Sequence, residues 1–426
     1  MKLSFFGYGK TTRAIAKKRG GKCTFYDDNC TEPYVDGHKN NILPSSAFDP
    51  EKSDLEILTP SIPPHHPLLD KAKNPISEYD YVLSPESFDA SLTSMPHAQD
   101  SALKNAPYVK PFTIWISGTN GKTTTTQMLT HLLSKRGALY GGNIGVPLAE
   151  LDPAAAIWVL ESSSFTLHHT QYASPDIYLL LPITPDHLNW HGSEQAYEAD
   201  KLRPLLTMHE GELALVPKGL HLPQTDAWVV EYDSHTFLED FFDLDSSKLR
   251  YKAAFLEDAL LSLAITRALF DEADYDLLNH FQLDHHRQEE ISDRQGRLWV
   301  NDSKATNVDA TVQAIHTYSD RRIHLILGGD DKGVDLSPLL DLIATKAITL
   351  YAIGSNHDTL ISLSKARNIP AYDCHMLEQA IPLISDKLQA DEVALLSPAA
   401  SSLDQFSSYA KRGEVFMQMV SDLSMA

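Results

Sequence analysis

Short apolar runs, each passing at once into small, polar or charged residues, recur along the chain and predict buried strands that deliver loops. They cover residues 3–6, 23–26, 55–58, 114–116, 156–160, 177–181, 297–300, 323–327 and 393–396. Between them the spacing turns helical. Met128, Leu129, Leu132 and Leu133 predict a helix over 124–136 that stops at Gly137, and further helices are expected at 10–19, 194–206 and 253–270. Strands alternating with helices imply an α/β chain with mainly parallel sheets. Residues 77–83, Ser-Glu-Tyr-Asp-Tyr-Val-Leu, read as one more short strand. The run 55–58 leaves into Thr59-Pro60-Ser61-Ile62-Pro63-Pro64, a stiff loop, since proline ends both ladder and helix. From 84 to 111, Ser, Pro, Asp and Asn without periodicity predict a linker and a domain boundary. A length of 426 residues fits about three domains, expected at 1–107, 108–283 and 284–426.

The stretch around which the rest is organised is Ile114-Trp115-Ile116-Ser117-Gly118-Thr119-Asn120-Gly121-Lys122-Thr123-Thr124. A buried strand delivers a turn whose backbone N–H groups wrap an anion, with Lys122 and Thr123 opening the next helix. Ile116 stands where the strict P-loop has its first glycine, so this is a compact variant. The bland alternative is a strand-to-helix turn with a solvent lysine. Strand, glycines, lysine and paired threonines agree against it.

The first segment reads strand, glycine turn (Gly7-Tyr8-Gly9-Lys10-Thr11), helix, second strand and Asp27-Asp28, the layout of a nucleotide-binding βαβ unit. Lys10 favours a phosphate, and Asp27 or Asp28 a ribose or base edge. Thr12 or Arg13 replaces the third glycine of the dinucleotide fingerprint, so a doubly wound domain without nucleotide is the alternative.

In an open α/β sheet, ligands gather beyond the carboxyl ends of parallel strands, where Glu161 and His187 both fall. Mg²⁺ takes hard oxygen ligands, which makes Glu161 and Thr123 candidate partners of a magnesium-triphosphate; His187 ligates a second cation or orients a phosphate. Their dull readings are a helix cap for Glu161 and a buried-carbonyl partner for His187. His65-His66 and His168-His169 lack such a frame and read as solvated or loop residues. Spacing does not separate a ligand-binding Lys201 from a solvent lysine. Three late strands end in the polar turns 301–307, 328–333 and 397–404, whose Lys304, Lys332 and hydroxyls suit a carboxylate substrate.

A formal net charge of -21 leaves little uncompensated cation to displace counterions and argues against sequence-independent nucleic-acid binding. Anionic ligands must be held by local cations. Cys23, Cys30 and Cys374 have no metal-site spacing and form no even disulfide set, as in a reducing compartment. No signal peptide and no membrane-length apolar run are read, so a cytoplasmic protein without nucleic-acid or membrane partners is expected.

Taken together, Ser117 to Thr124, Gly141 to Gly145, Glu161 to Leu167, Thr184 to His187, Asp200 to Arg203, Asn301 to Asn307, Gly328 to Lys332 and Ser397 to Phe406 resemble the Mur ligases, and within them the D-glutamate-adding branch. The resemblance implies a Rossmann-like N-terminal domain for the UDP-sugar peptide, a central P-loop ATPase domain and a Rossmann-like α/β C-terminal domain, in a monomer. It implies ATP and two Mg²⁺, with UDP-N-acetylmuramoyl-L-alanine and D-glutamate as substrates. By position, Gly118, Thr119, Asn120, Gly121, Lys122, Thr123 and Thr124 would hold ATP, joined by Arg287, Asp302 and Lys304. Thr123, Glu161, His187 and a carbamylated Lys201 would hold metal, with Lys122, His187 and Lys201 catalytic. Lys10, Thr11, Asp27, Asp28 and Asn143 would face the UDP substrate, and Thr306, Lys332, Ser402 and Tyr409 the D-glutamate. Ala254, Phe255 and Asp258 stand where the family has His-Asn-x-x-Asn, Tyr409 where it has phenylalanine, and Asn29 where it has an arginine.

Overall fold

The apolar runs become the inner strands of three six-stranded sheets. The computed structural model describes residues 2–84 and 110–423; most of the linker expected at 84–111 lies outside them. Contacts divide the chain into two units, Met1–Arg250 with Leu256–His280, and Tyr251–Phe255 with Phe281–Ala426.

The first unit holds two sheets. In one, Leu3–Phe6 lies between Thr24–Asp27 and Leu55–Leu58, all parallel; Asn41–Pro44 and Pro75–Ile76 extend it, and the short Tyr34–Val35 closes one edge antiparallel. In the other, the order is Trp228–Tyr232, Leu213–Pro217, Ile177–Leu180, Phe112–Ser117, Ile157–Glu161, Ala138–Gly142, parallel throughout. In each, the strand carrying a glycine turn (Leu3–Phe6, Phe112–Ser117) lies inside the sheet with a later strand on either side, so successive connections leave it in opposite directions, the switch point where α/β sheets open a crevice.

The second unit holds the third sheet, ordered Glu289–Ser292, Leu298–Asn301, Val393–Leu396, Ile323–Leu327, Ile348–Ile353, Ala371–His375, with only the first pair antiparallel. Alternate residues feed two cores. Val300, Leu325, Leu327, Leu350 and Leu395 pack in one, and Trp299, Ile326, Tyr351, Ala394 and Leu396 in the other. Both faces are therefore covered, which is why these strands read as continuous apolar runs.

Residues 77–83 are not a strand. Glu78–Leu83 is a helix started by a capping box, in which Ser77 accepts from the Asp80 N–H and Asp80 answers to the Ser77 N–H. The alternating apolar residues that suggested a strand are outweighed by this Ser-x-x-Asp signal, which satisfies the first-turn donors. The helix expected at 124–136 is Lys122–Leu132, with a separate 3₁₀ turn Ser134–Arg136 before Gly137. The one expected at 194–206 ends at Leu202, and a 3₁₀ turn, Arg203–Leu206, carries Pro204. Ala253–Phe270 is helical as read.

Asp80 also joins the two sheets of the first unit. Its buried carboxylate accepts backbone N–H groups from Gln171, Tyr172 and Ala173 at 2.8–3.1 Å as well as the Ser77 N–H. Asp80→Ala strands several donors at roughly 1–3 kcal/mol each. We expect a loss of about 3–5 kcal/mol, and a smaller one for Asp80→Asn, in denaturant unfolding followed by tryptophan fluorescence.

Candidate active site

The turn after Phe112–Ser117 is shaped by two glycines. Gly118 (φ +139°) and Gly121 (φ +80°) hold conformations that a side chain resists, and a Cβ would come 2.5 Å from Leu181 Cβ at the first and 2.5 Å from Asp258 Oδ1 at the second. Asp258 lies beneath the turn and accepts from Thr125 Oγ1 at 2.9 Å. Thr119 ties the turn to the next strand's exit, donating to the Thr184 carbonyl at 2.8 Å and accepting its N–H at 2.9 Å. Gly121 caps the helix Lys122–Leu132, whose first-turn N–H groups face the turn. Thr124 turns inward, and its buried hydroxyl meets no partner among the described residues.

Two ammonium groups converge on one carbonyl. Lys122 Nζ donates to Gly118 O at 2.9 Å and to Thr119 O at 2.8 Å. Lys201 Nζ, 1% exposed, donates to the same Gly118 O at 2.7 Å and lies 4.6 Å from the Tyr197 ring centre. Burial, then the Lys122 charge, pushes the Lys201 amine well below the ordinary lysine range. Lys201 is not a solvent lysine.

Glu161 reaches the turn from the neighbouring strand. Its Oε2 accepts from Thr123 Oγ1 at 2.8 Å and its Oε1 from Asn143 Nδ2 at 2.6 Å. Helix capping is excluded for Glu161, because Ser163 supplies the cap of Ser164–His168. Gly142 (φ +90°) lets Asn143 N donate to Glu161 O at 2.9 Å; a Cβ there would come 2.5 Å from that oxygen. The other sheet meets this corner through Lys10 Nζ, which donates to Gly145 O at 2.6 Å, and Tyr79 OH, which donates to Glu161 O at 3.2 Å. Thr11 sits in the first turn of Lys10–Lys18. Asp27 braces the glycine turn by accepting from Tyr8 N at 2.6 Å and Asn29 N at 2.8 Å.

Of the histidine pairs read as solvated or loop residues, His65, His66 and His169 do lie in loops, yet three of the four side chains are engaged within the fold. His66 is buried and its Nε2 meets Asp28 Oδ2 at 2.8 Å, so Asp28 is engaged by a side chain across the sheet edge. His168 Nδ1 and His191 Nδ1 each lie 2.7 Å from an oxygen of Asp200, and His191 Nε2 lies 3.0 Å from Ser164 Oγ. His169 is buried against Ile62 O at 2.8 Å, and desolvation lowers its pKa to about 4. Only His65 of the four is exposed. The partners lie tens of residues apart, which is why adjacency in sequence hid them. His187, by contrast, is exposed, left-handed (φ +53°) and 4.8 Å from the Phe165 ring. Partial burial lowers its pKa, with Asp186 opposing and the charges of His191, Lys122 and Lys201 assisting. It satisfies no buried carbonyl.

A larger groove, about 940 Å³, opens at the far end of the helix Lys122–Leu132. Its Arg136 is already matched by Glu272 at 2.8 Å and by the Phe270 ring at 3.7 Å.

In the second unit, Asp302 is buried, with Oδ2 accepting from Ser397 Oγ at 2.8 Å and Oδ1 from Gln288 N at 3.3 Å. Desolvation raises its carboxyl from an ordinary 3.8 to about 7, partly opposed by Arg287. Arg287 Nε is itself buried without a hydrogen-bond partner among the described residues. Lys304 Nζ lies 3.9 Å from Asp284 and 5.7 Å from the Tyr409 ring centre. Thr306 lies in the same turn, its N–H on Lys304 O at 2.9 Å. Ser402 is buried, Lys332 is exposed with φ +55°, and Tyr409 opens the helix Tyr409–Leu423. Arg412, which the sequence pattern did not single out, is buried and donates to Ser303 Oγ and O at 2.9 Å and Ala400 O at 3.2 Å, holding two of these turns together.

Family models agree with this geometry. The Mur ligase middle domain matches residues 116–229, and the Mur ligase glutamate ligase domain matches 286–400. A UDP-N-acetylmuramoylalanine--D-glutamate ligase of Campylobacter jejuni subsp. jejuni serotype O:23/36 (strain 81-176) is 48% identical over 426 residues, spanning 99% of this chain and 100% of the relative. This chain belongs to the Mur ligase family. A relative of the same name from Helicobacter pylori (strain HPAG1) is 42% identical, over 99% of each chain. Among solved structures, the Mur ligase MurF of Thermotoga maritima, in complex with ADP, shares the fold with a TM-score of 0.57 at 16% identity, over 93% of this chain and 94% of that one.

The buried Asp302 of this Mur ligase gives a pH signature. Between about pH 4 and 7 the folded state holds a proton that the unfolded state has released, so stability falls as pH rises through that window. Asp302→Asn is expected to flatten that slope, as read by denaturant midpoints across the range.

Proposed function

We propose that this Mur ligase uses ATP to join D-glutamate to UDP-N-acetylmuramoyl-L-alanine in cytoplasmic peptidoglycan precursor synthesis, releasing ADP and phosphate. The named relatives support this over their whole length. The observation that carries the chemistry is the convergence of Lys122 and Lys201 on Gly118 O beside a carboxylate–hydroxyl pair, Glu161 and Thr123. The Lys122 cation at a nest of N–H donors calls for a polyanion.

In this reading the γ-phosphoryl group passes to the substrate carboxylate, giving an acyl phosphate and ADP. The D-glutamate amine attacks the acyl carbon, phosphate leaves, and the ammonium proton goes to His187 or to substrate phosphate. Gly118 to Thr124 orient the triphosphate by backbone N–H groups, and Lys122 swings from its two loop carbonyls to neutralise charge as it moves. Thr123 and Glu161, hard oxygen donors 2.8 Å apart, fit Mg²⁺, and His187 with a modified Lys201 would hold a second ion. The metal, when bound, supplies electrostatic stabilisation of the transferring phosphoryl oxygens. Burial and the neighbouring Lys122 charge ease loss of the Lys201 proton, and the amine so formed has the lone pair that carbon dioxide needs to form a carbamate, which would make Lys201 an anion suited to metal. Lys10, Thr11, Asn143 and Asp27 or Asp28 would receive the UDP substrate. Arg287, Asp302 and Lys304 would meet nucleotide, and Thr306, Lys332, Ser402 and Tyr409 the incoming amino acid. We assign these tasks to residues 1–107, 108–283 and 284–426.

ADP release should require magnesium, ATP, the UDP-muramoyl peptide and D-glutamate together. Turnover indifferent to D-glutamate would instead mark a nucleotide switch. Lys201→Ala should lower kcat by more than about a hundredfold, the scale of one lost electrostatic group. A short carboxylic acid should restore part of it, and unchanged turnover in that variant removes Lys201 from the site.

A further inference from the structure

We propose that the second unit carries a binding site for a late first-row divalent metal, of the zinc class, formed by His357, Asp373 and His375. It is independent of the ligase reading. The three side chains each offer one ligand atom within 4.8 Å of the others. His357 Nδ1 lies 2.8 Å from Asp373 Oδ1, His375 Nδ1 lies 3.2 Å from His357 Nε2, and His375 Nε2 lies 3.7 Å from Asp373 Oδ2. Ligands about 2.1 Å from a tetrahedral zinc stand roughly 3.4 Å apart, inside the 4.8 Å within which one donor atom of each residue lies. Asp358, exposed and 3.6 Å from His357 Nδ1, or water offers the fourth donor.

The backbone is arranged around this cluster. His357 opens the helix His357–Ala366, and Asp373 and His375 end the sheet's last strand, Ala371–His375. Cys374 between them is buried, whereas Asp373 and His375 are exposed at this end of the strand. The register slips at this point, Ala352 pairing with Asp373 and Ile353 with His375, and His375 sits at φ +56°. A bulge and a left-handed non-glycine residue together aim a side chain that a regular strand would direct elsewhere. The His375 ring is thereby brought 4.2 Å from that of His357.

Two imidazoles and one carboxylate select the chemistry. Imidazole nitrogen suits zinc, nickel or copper, whereas magnesium and calcium want oxygen throughout. The net charge of -21 raises the local cation concentration. A bound ion would replace the polar contacts now made within the trio and tie the edge strand to the adjoining helix.

The test is a zinc titration of the full-length chain against a chromophoric chelator, with magnesium in excess to occupy oxygen-rich sites. His357→Gln and His375→Asn are the variants, asparagine being chosen because it accepts the left-handed conformation. The wild-type chain should bind one more zinc equivalent than either variant. Affinity at this site should fall at least tenfold per substitution, the lower end of what loss of a mere outer partner costs. Zinc should raise the unfolding midpoint of the wild-type chain and leave the variants unmoved, while ligase turnover stays the same in all three. Equal zinc stoichiometry and affinity in wild type and both variants overturns the site, as does binding by the wild type only at millimolar zinc. Because the readout is metal and not ADP, failure here is separable from failure of the ligase reading.

Discussion

One carbonyl oxygen bears more positive charge than it can balance. Gly118 O accepts from Lys122 and from Lys201, and the second of these ammonium groups is buried. An ammonium buried beside another costs several kcal/mol unless it sheds its proton, the direction in which Lys201 is pushed, or an anion joins it. The arrangement survives because the chain elsewhere over-determines it. Gly118 is held against Leu181, Gly121 over Asp258, and Thr119 to Thr184. The stored electrostatic cost is recovered when a polyanion enters, which turns an unfavourable apo state into affinity for phosphate.

The same logic explains Asp200. A carboxylate next in sequence to Lys201 would neutralise the lysine if it faced the turn. It is drawn instead to His168 and His191 at 2.7 Å each, and those partners hold its carboxyl below the usual range against the pull of burial. The lysine is left to the turn. Tyr178 fastens the same segment by donating to Lys201 O. The helix Glu194–Leu202 therefore presents one charge inward to the turn and spends the other on its own support.

Much of this was legible in the sequence. The strand-to-turn pattern located the turns that follow Ser117, Leu160, Val300, Leu327 and Leu396, because both faces of parallel strands are buried and their exits are not. Local signals also gave Gly137 as a stop and the helix Ala253–Phe270. What failed was long-range pairing. The partners His66–Asp28, His168–Asp200 and His357–Asp373 are 38, 32 and 16 residues apart, and periodicity carries no information about such contacts. Residues 77–83 failed for another reason: with only six helical residues, alternation imitates a strand, and the capping pair Ser77–Asp80 is the better guide.

Charge acts on two scales here, and they oppose each other. At long range a protein of net charge -21 repels nucleotide and UDP-sugar alike. Within the turn, backbone donors and Lys122 offer an anion local attraction through a low-dielectric path. Salt at physiological strength screens charges beyond about 8 Å, so it weakens the repulsion of the distant carboxylates more than the grip of Lys122 and the turn. Specificity then falls to short-range geometry, and that geometry is fixed inside the first unit: Lys10 on Gly145, Tyr79 on Glu161 and Asp80 on residues 171–173 are hydrogen bonds between its two sheets. The separation of the Gly7–Lys10 turn from the Gly118 turn is thereby set in advance, so a ligand that touched both would spend no binding energy on bringing them into register.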